Sequence, residues 1–218
     1  MRETNIEKTK RKEILDTAKR LYYDKGMDAV SFDDIAKEVG VTKPVIAYHF
    51  GNKAKLANEI FGRYSKANAN TVYQKAYALS SRYTNYDINQ AYTILCCRYY
   101  CQDEKALRFY TQLFSCSFTD ITYGIEDISN ITLKGPSGNV SEDIAHMLYI
   151  GTQYAARGLI YHYATGEIKC SEQDFNRYMM QIGVLGIMTE EQTERVLKNA
   201  YNLLDELEID FAEYFEWR

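Results

Sequence analysis

Between Thr42 and Lys53 the run TKPVIAYHFGNK gathers Thr, Lys, Tyr, His and Lys side chains. Each can donate hydrogen bonds, and the lysines carry positive charge near neutral pH. Such a row lacks the paired base and nucleophile of covalent catalysis. It suits a partner whose surface is phosphate and whose interior shows acceptor atoms, as the major groove of DNA does. On a helix beginning at Lys43, the first turn holds Lys43, Pro44 and Val45. There Lys43 can donate to guanine O6 or N7, while Pro44 and Val45 offer apolar contact to a thymine methyl. Tyr48 and His49, one turn later, are placed to donate to phosphate oxygens, and the Thr42 hydroxyl can bond a phosphate as well as cap. Lys53 and the backbone N–H groups of the following helix start make an anion site. Ile46 and Phe50 fall inward on the same helical period.

The elements that must hold these side chains follow from caps and periodicity. Ile14, Leu15, Ala18, Leu21 and Tyr22 form one apolar stripe of a first helix over residues 8–24, which Gly26 ends. Ser31 starts a second helix as N-cap, with Asp33 and Asp34 in its first turn and Ile35, Ala36 and Val39 facing inward. Gly40 closes it, Thr42 caps a third, and Pro44 sits where a missing N–H costs nothing. Gly51-Asn52 stops the third helix. Two short helices joined by Gly40-Val41-Thr42 are a helix-turn-helix unit, whose second member is built to enter a major groove.

Beyond residue 66 the pattern predicts further helices: to about Ser80, from Ile88 to Tyr100, and from Glu104 to Phe118. Residues 131–140 read as a loop. Ser141 opens a helix through Tyr163 and Ser171 caps one to about Met188. Thr189 begins a capping box whose helix is expected to run nearly to Trp217. The fold class is therefore all-α: an N-terminal three-helix DNA-binding domain, residues 1–52, then a larger helical domain, residues 53–218.

Composition bounds the function further. The 218 residues are 46% hydrophobic with a net charge of −4, enough for a substantial core. The charge is uneven: residues 1–66 carry 14 Lys or Arg against 10 Asp or Glu, a net of +4, so the remainder has a net of −8. A basic N-terminal portion suits a polyanion, and the run Lys8, Lys10, Arg11, Lys12 is placed to reach a phosphate backbone. The N-terminus is too polar for a signal peptide, and no apolar stretch approaches the roughly 18 residues of a membrane span. With five cysteines, three of them crowded as Cys96, Cys97 and Cys101, a disulfide framework is not indicated, and the setting expected is the reducing cytoplasm. No second Cys pair or His stands at zinc spacing, so no metal or cofactor is expected. The chain holds no G-x-S-x-G, H-E-x-x-H, P-loop or G-x-G-x-x-G, and enzymatic activity is not expected.

Residues 31–56 resemble the signature of the TetR family of bacterial transcriptional repressors. The likeness rests on Asp34-Ile35-Ala36, Gly40-Val41, Thr42, Tyr48-His49-Phe50 and Lys53. It implies a homodimer in which each N-terminal domain reads half of a near-palindromic operator. It also implies a helical C-terminal domain that binds a small molecule and releases double-stranded DNA when filled. Two departures stand out: Ala47, where family members usually carry a phosphate-contacting Tyr, and Asp33, which phosphate would repel. They keep open an alternative, a TetR-like helical protein with weak or lost DNA binding that serves as a ligand- or protein-interaction module.

In the stretches where the resemblance places the effector cavity stand Tyr100, Phe109, Tyr110, Phe114, His146, Tyr149, Tyr154 and Arg157. Aromatic walls with orienting hydroxyls suit a ligand as well as a core, and Arg157 suits an anionic group. For the dimer, Val196, Ala200, Leu203, Leu207 and Phe211 or Tyr214 form a stripe at alternating spacings of four and three on the last helix.

Overall fold

The computed structural model describes residues 5–79, 82–116, 142–183 and 189–218. Nine α-helices and one short hairpin lie among the described residues. The helices are α1 (Asn5–Lys25), α2 (Phe32–Val39), α3 (Lys43–Phe50), α4 (Lys53–Leu79), α5 (Asn85–Gln102), α6 (Glu104–Cys116), α7 (Glu142–Ala164), α8 (Glu172–Gly183) and α9 (Glu190–Glu206). The strands are β1 (Phe211–Ala212) and β2 (Glu216–Trp217), paired with each other. The protein is thus all-α with an N-terminal helix-turn-helix, as expected. The predicted loop over 131–140, the cap at Ser141 and the end of a helix near Met188 fall outside the described residues.

Two compact units emerge, one of residues 1–67, 103–124 and 212–216, the other of residues 68–102, 125–211 and 217–218. In the first, the α1 stripe Ile14, Leu15, Ala18, Leu21 and Tyr22 is buried, as are Ile35 and Ala36 of α2, Ile46 and Phe50 of α3, and Leu56, Ala57 and Ile60 of α4. An aromatic cluster completes this core. Tyr64 stacks on Phe215 with centroids 4.6 Å apart, and Phe109 lies 4.9 Å from Phe215. A polar clamp fixes the α1 C-terminus. The Arg108 guanidinium donates to the carbonyls of Tyr23 and Asp24 at 2.8 and 2.9 Å, and Met27 N–H donates to Gln112 at 2.6 Å. These bonds satisfy groups that a helix end leaves orphaned.

In the second unit α5 packs on α9, and α7 on α8. Thr84 caps α5 reciprocally with Asp87, Ser171 accepts from Asp174 N–H at the start of α8, and Thr189 with Gln192 forms the expected capping box on α9. Arg98 of α5 makes a bidentate ion pair with Glu172 of α8 at 2.8 and 3.0 Å.

The last helix is shorter than its pattern predicts. It ends at Glu206, Leu207 is extended at φ −84°, ψ 116°, and residues 211–217 form the hairpin. Backbone bonds between Asp210 and Arg218 run in both directions at 2.9 and 3.0 Å. Tyr214 and Phe215 adopt φ of 60° and 64° at its tip, a conformation that costs on the order of 1–3 kcal/mol per non-glycine residue. Aromatic burial offsets that cost: Phe215 is fully buried, and Trp217 packs on Tyr92, Tyr99 and Phe211. The dimer stripe is corrected with it. Val196, Ala200, Leu203 and Leu207 are buried, so they serve the core of this chain, and Phe211 and Tyr214 are not helical.

Candidate nucleic-acid interface

The local sequence builds the interface in three steps. Ser31 accepts from Asp34 N–H at 3.2 Å while Asp34 accepts from Ser31 N–H at 2.8 Å, closing a capping box on α2. Hydrogen bonds from the Ser31 hydroxyl, then from its backbone, hold the Asp34 carboxyl below its ordinary pKa. Gly40 then turns the chain at φ +73°, ψ 38°, a left-handed position that favours glycine. Thr42, extended at φ −101°, ψ 153°, starts α3 with Pro44 in the first turn. Its hydroxyl makes no capping bond, so the cap expected from the sequence is one of backbone shape only.

The inward face of α3 is anchored at its far end. Ile46 and Phe50 are buried, and the Arg11 guanidinium lies over the Phe50 ring at 4.7 Å. Arg11 in turn forms a forked ion pair with Glu59 of α4, one arm at 2.7 Å, and Arg63 donates to the same carboxylate at 2.8 Å. The basic run in the sequence places Arg11 toward a phosphate backbone. The structure turns it inward, because a planar fork matches a carboxylate better than an exposed lysine would. Lys10 is likewise paired, with Glu13 at 2.7 Å.

What remains outward is the predicted row. Thr42, Lys43 and Pro44 are exposed, Val45 and His49 half-buried, and Tyr48 is 79% exposed, its ring edge-on to that of His49. Ala47 lies half-buried among them with no donor to offer. Lys53 is half-buried and donates to the Asp28 carbonyl at 3.3 Å. The Lys55 N–H at the start of α4 is taken by the Asn52 side chain at 2.8 Å, which caps that helix. The feature sequence reading missed is an ion pair at the front edge: Lys43 Nζ donates to Asp33 Oδ2 at 3.0 Å, both side chains exposed. Ten residues and a turn separate the two, so no single helical period signals it.

The eight effector candidates fall in different surroundings. Phe109 belongs to the aromatic core of the first unit with Tyr22, Tyr64 and Phe215, and there Tyr110 packs on Phe61 and half-buried Phe114. In the second unit Tyr100 and Arg157 are buried and Tyr154 half-buried. The His146 and Tyr149 side chains lie outside the described residues. A polar groove of about 540 Å³ in the second unit is lined by Arg82, Tyr83, Asn199, Asn202, Asp205 and Glu206, none of them among the eight. Cys96, Cys97, Cys101 and Cys170 are free thiols. Burial pushes Cys96 up to about 12 and Cys97 and Cys101 above the ordinary thiol range. No described helix is long and apolar enough to cross a membrane.

Residues 14–60, the segment that builds this interface, match the model of bacterial regulatory proteins of the tetR family. Over this segment the chain is of the TetR family. Over 103 residues it is 32% identical to the biofilm operon icaADBC HTH-type negative transcriptional regulator IcaR of Staphylococcus epidermidis, covering 47% of this chain and 52% of that protein. With IcaR of Staphylococcus aureus strain Newman it shares 28% over 124 residues, 56% of this chain and 64% of that one. The chain thus spans between about half and two thirds of the length of the curated relatives it matches. Among solved structures, RolR in complex with resorcinol aligns at a TM-score of 0.58 and 12% identity, over 89% of this chain and 94% of that one. A putative tetR family transcription regulator from Shewanella sp. PV-4 aligns at 0.52 and 17%, over 80% and 95%. At such identities the likeness is one of fold.

Proposed function

We propose that this TetR-family protein is a DNA-binding transcriptional regulator, acting as a dimeric repressor that a small-molecule effector releases from a near-palindromic operator. The observation that carries the reading is the two-sided α3: Ile46 and Phe50 buried, Thr42, Lys43 and Tyr48 exposed, on a helix held behind a Gly40 turn. IcaR, named a negative transcriptional regulator, aligns with this chain, which supports repression. Residues 1–52 would read DNA, with Thr42, Lys43, Pro44 and Val45 at base edges and Tyr48, His49 and Lys53 at phosphates. Residues 53–218 would bind the effector and dimerise. One eight-residue helix reads few bases, so two copies are needed for useful affinity.

The faces offered for dimerisation are on α7 and α8. There Met147 and Ile150, one turn apart, and Tyr178 and Ile182, one turn apart, are exposed, whereas the α9 stripe is spent on its own core. Ala47 and the Asp33 partner of Lys43 favour the second reading, a related module with weak DNA binding. Titration of the purified protein into a fluorescent DNA fragment from upstream of its own gene, with random-sequence DNA as competitor, separates the two. The repressor reading expects selective binding, weakened by Lys53→Ala and Tyr48→Phe; no preference over random DNA, there or in a selected library, overturns it.

A further inference from the structure

Asp33 has no visible task in stability. Ser31 and Asp34 already cap α2 and already place a negative charge in its first turn, and an ion pair with both partners exposed adds next to nothing. Yet its carboxylate stands at the front edge of the row that faces DNA, 3.0 Å from Lys43 Nζ, where it weakens attraction to every phosphate. An acceptor and a donor set side by side at that distance are the complement of one base-pair edge. In a C·G pair the cytosine N4–H group donates to guanine O6 at roughly 2.9 Å, and both atoms also face the major groove.

We propose that Asp33 is a specificity-determining residue which, together with Lys43, reads one C·G base pair in each half-site. The inference rests on the DNA-binding reading above. Cytosine N4–H donates to Asp33, and Lys43 donates to guanine O6 and N7. At G·C or T·A the carboxylate is dehydrated against an acceptor, so the pair rejects those sites as well as favouring the right one, while at A·T the adenine N6–H still donates to it. Thymine offers Lys43 a single acceptor with a methyl beside it, which is why C·G and not A·T fits.

The test is selection of bound sequences from a randomised duplex library by wild type, Asp33→Asn and Lys43→Met, with thermal melting of each protein. Wild type is expected to enrich a C·G pair at one position of each half-site. Both variants are expected to lose the preference at that same position, by about fivefold or more, the low end of what one base contact contributes. Preferences elsewhere stay as they were, and Asp33→Asn binds random DNA about threefold tighter or more, having shed a repelling charge. An unchanged profile for Asp33→Asn overturns the inference and leaves the DNA-binding reading standing. Loss spread over all positions with a lowered melting point overturns it too, by showing a merely structural role. If wild type enriches no sequence, the DNA-binding reading itself falls.

Discussion

Lys43 is already paired with Asp33, and under the proposed reading that shapes what substitutions do. An exposed pair of this kind contributes about 0–1 kcal/mol, so the ammonium can turn to a base at little cost. Lys43 and Tyr48 were legible in the sequence because Ile46 and Phe50 fix which face of α3 turns inward. The inward turn of Arg11 was not, since its partner Glu59 is 48 residues away and only tertiary packing brings them together. The thiols make a separate prediction. Burial raises Cys96 and Cys97, so at pH 8 both remain neutral, and thiol, unlike thiolate, is a poor nucleophile. Iodoacetamide should leave Cys97 unmodified in the folded protein at pH 8 and label it only in denaturant, as peptide mass mapping would report; rapid labelling of Cys97 in the native state would contradict its placement.

Each short helix of the interface depends on an end fixed from outside itself. On α2 the Ser31–Asp34 capping box is the device, and Ser31→Ala is expected to lower the thermal midpoint at pH 7. The sign with pH follows from the depressed Asp34 pKa. Its contribution is present above the unfolded carboxylate value of about 3.9 and is lost as pH falls through the lower folded value. The gap between Ser31→Ala and wild type should therefore narrow at acid pH, and a gap that widens below pH 4 would count against the cap. On α3, Phe50→Ala removes a buried ring and is expected to cost about 3–5 kcal/mol in urea denaturation. On α1, Arg108→Ala leaves two carbonyls without their charged donor and should cost about 1–3 kcal/mol, whereas the exposed Lys12 changed to Ala should cost almost nothing. Caps at Ser31, Ser171 and Thr189 could be read from local sequence because a cap is a short-range bond. The hairpin after α9 could not: Phe211, Phe215 and Trp217 alternate at period two in so short a segment that a continuing helix fitted as well. Its turn places Tyr and Phe, with no glycine, at positive φ. The burial of aromatic side chains, which local propensity does not register, selects that conformation.

Along the chain as a whole, the net positive charge of the first 66 residues against the net negative charge of the rest suits a polyanion bound by the first portion. Acting as the proposed repressor would require two copies, and on that reading Ile182→Glu on the exposed face of α8 is expected to halve the mass seen by light scattering while leaving the helical content unchanged. Effector action would be a coupling free energy of about 1–3 kcal/mol between the pocket and DNA, and it is reciprocal: operator DNA must weaken the effector by the factor by which the effector weakens DNA. All of this stands on α3 entering a groove, and the affinity for selected against random DNA, followed across salt, tests that entry most directly. Fluorescence anisotropy of wild type and Lys43→Ala on one selected site, at several salt concentrations, gives the slope of log affinity against log salt. The proposed reading predicts a steep slope for wild type and, for Lys43→Ala, a loss several-fold larger at the selected site than on random DNA, where only the lost charge is felt. A slope near zero, or a loss equal on selected and random DNA, would contradict it.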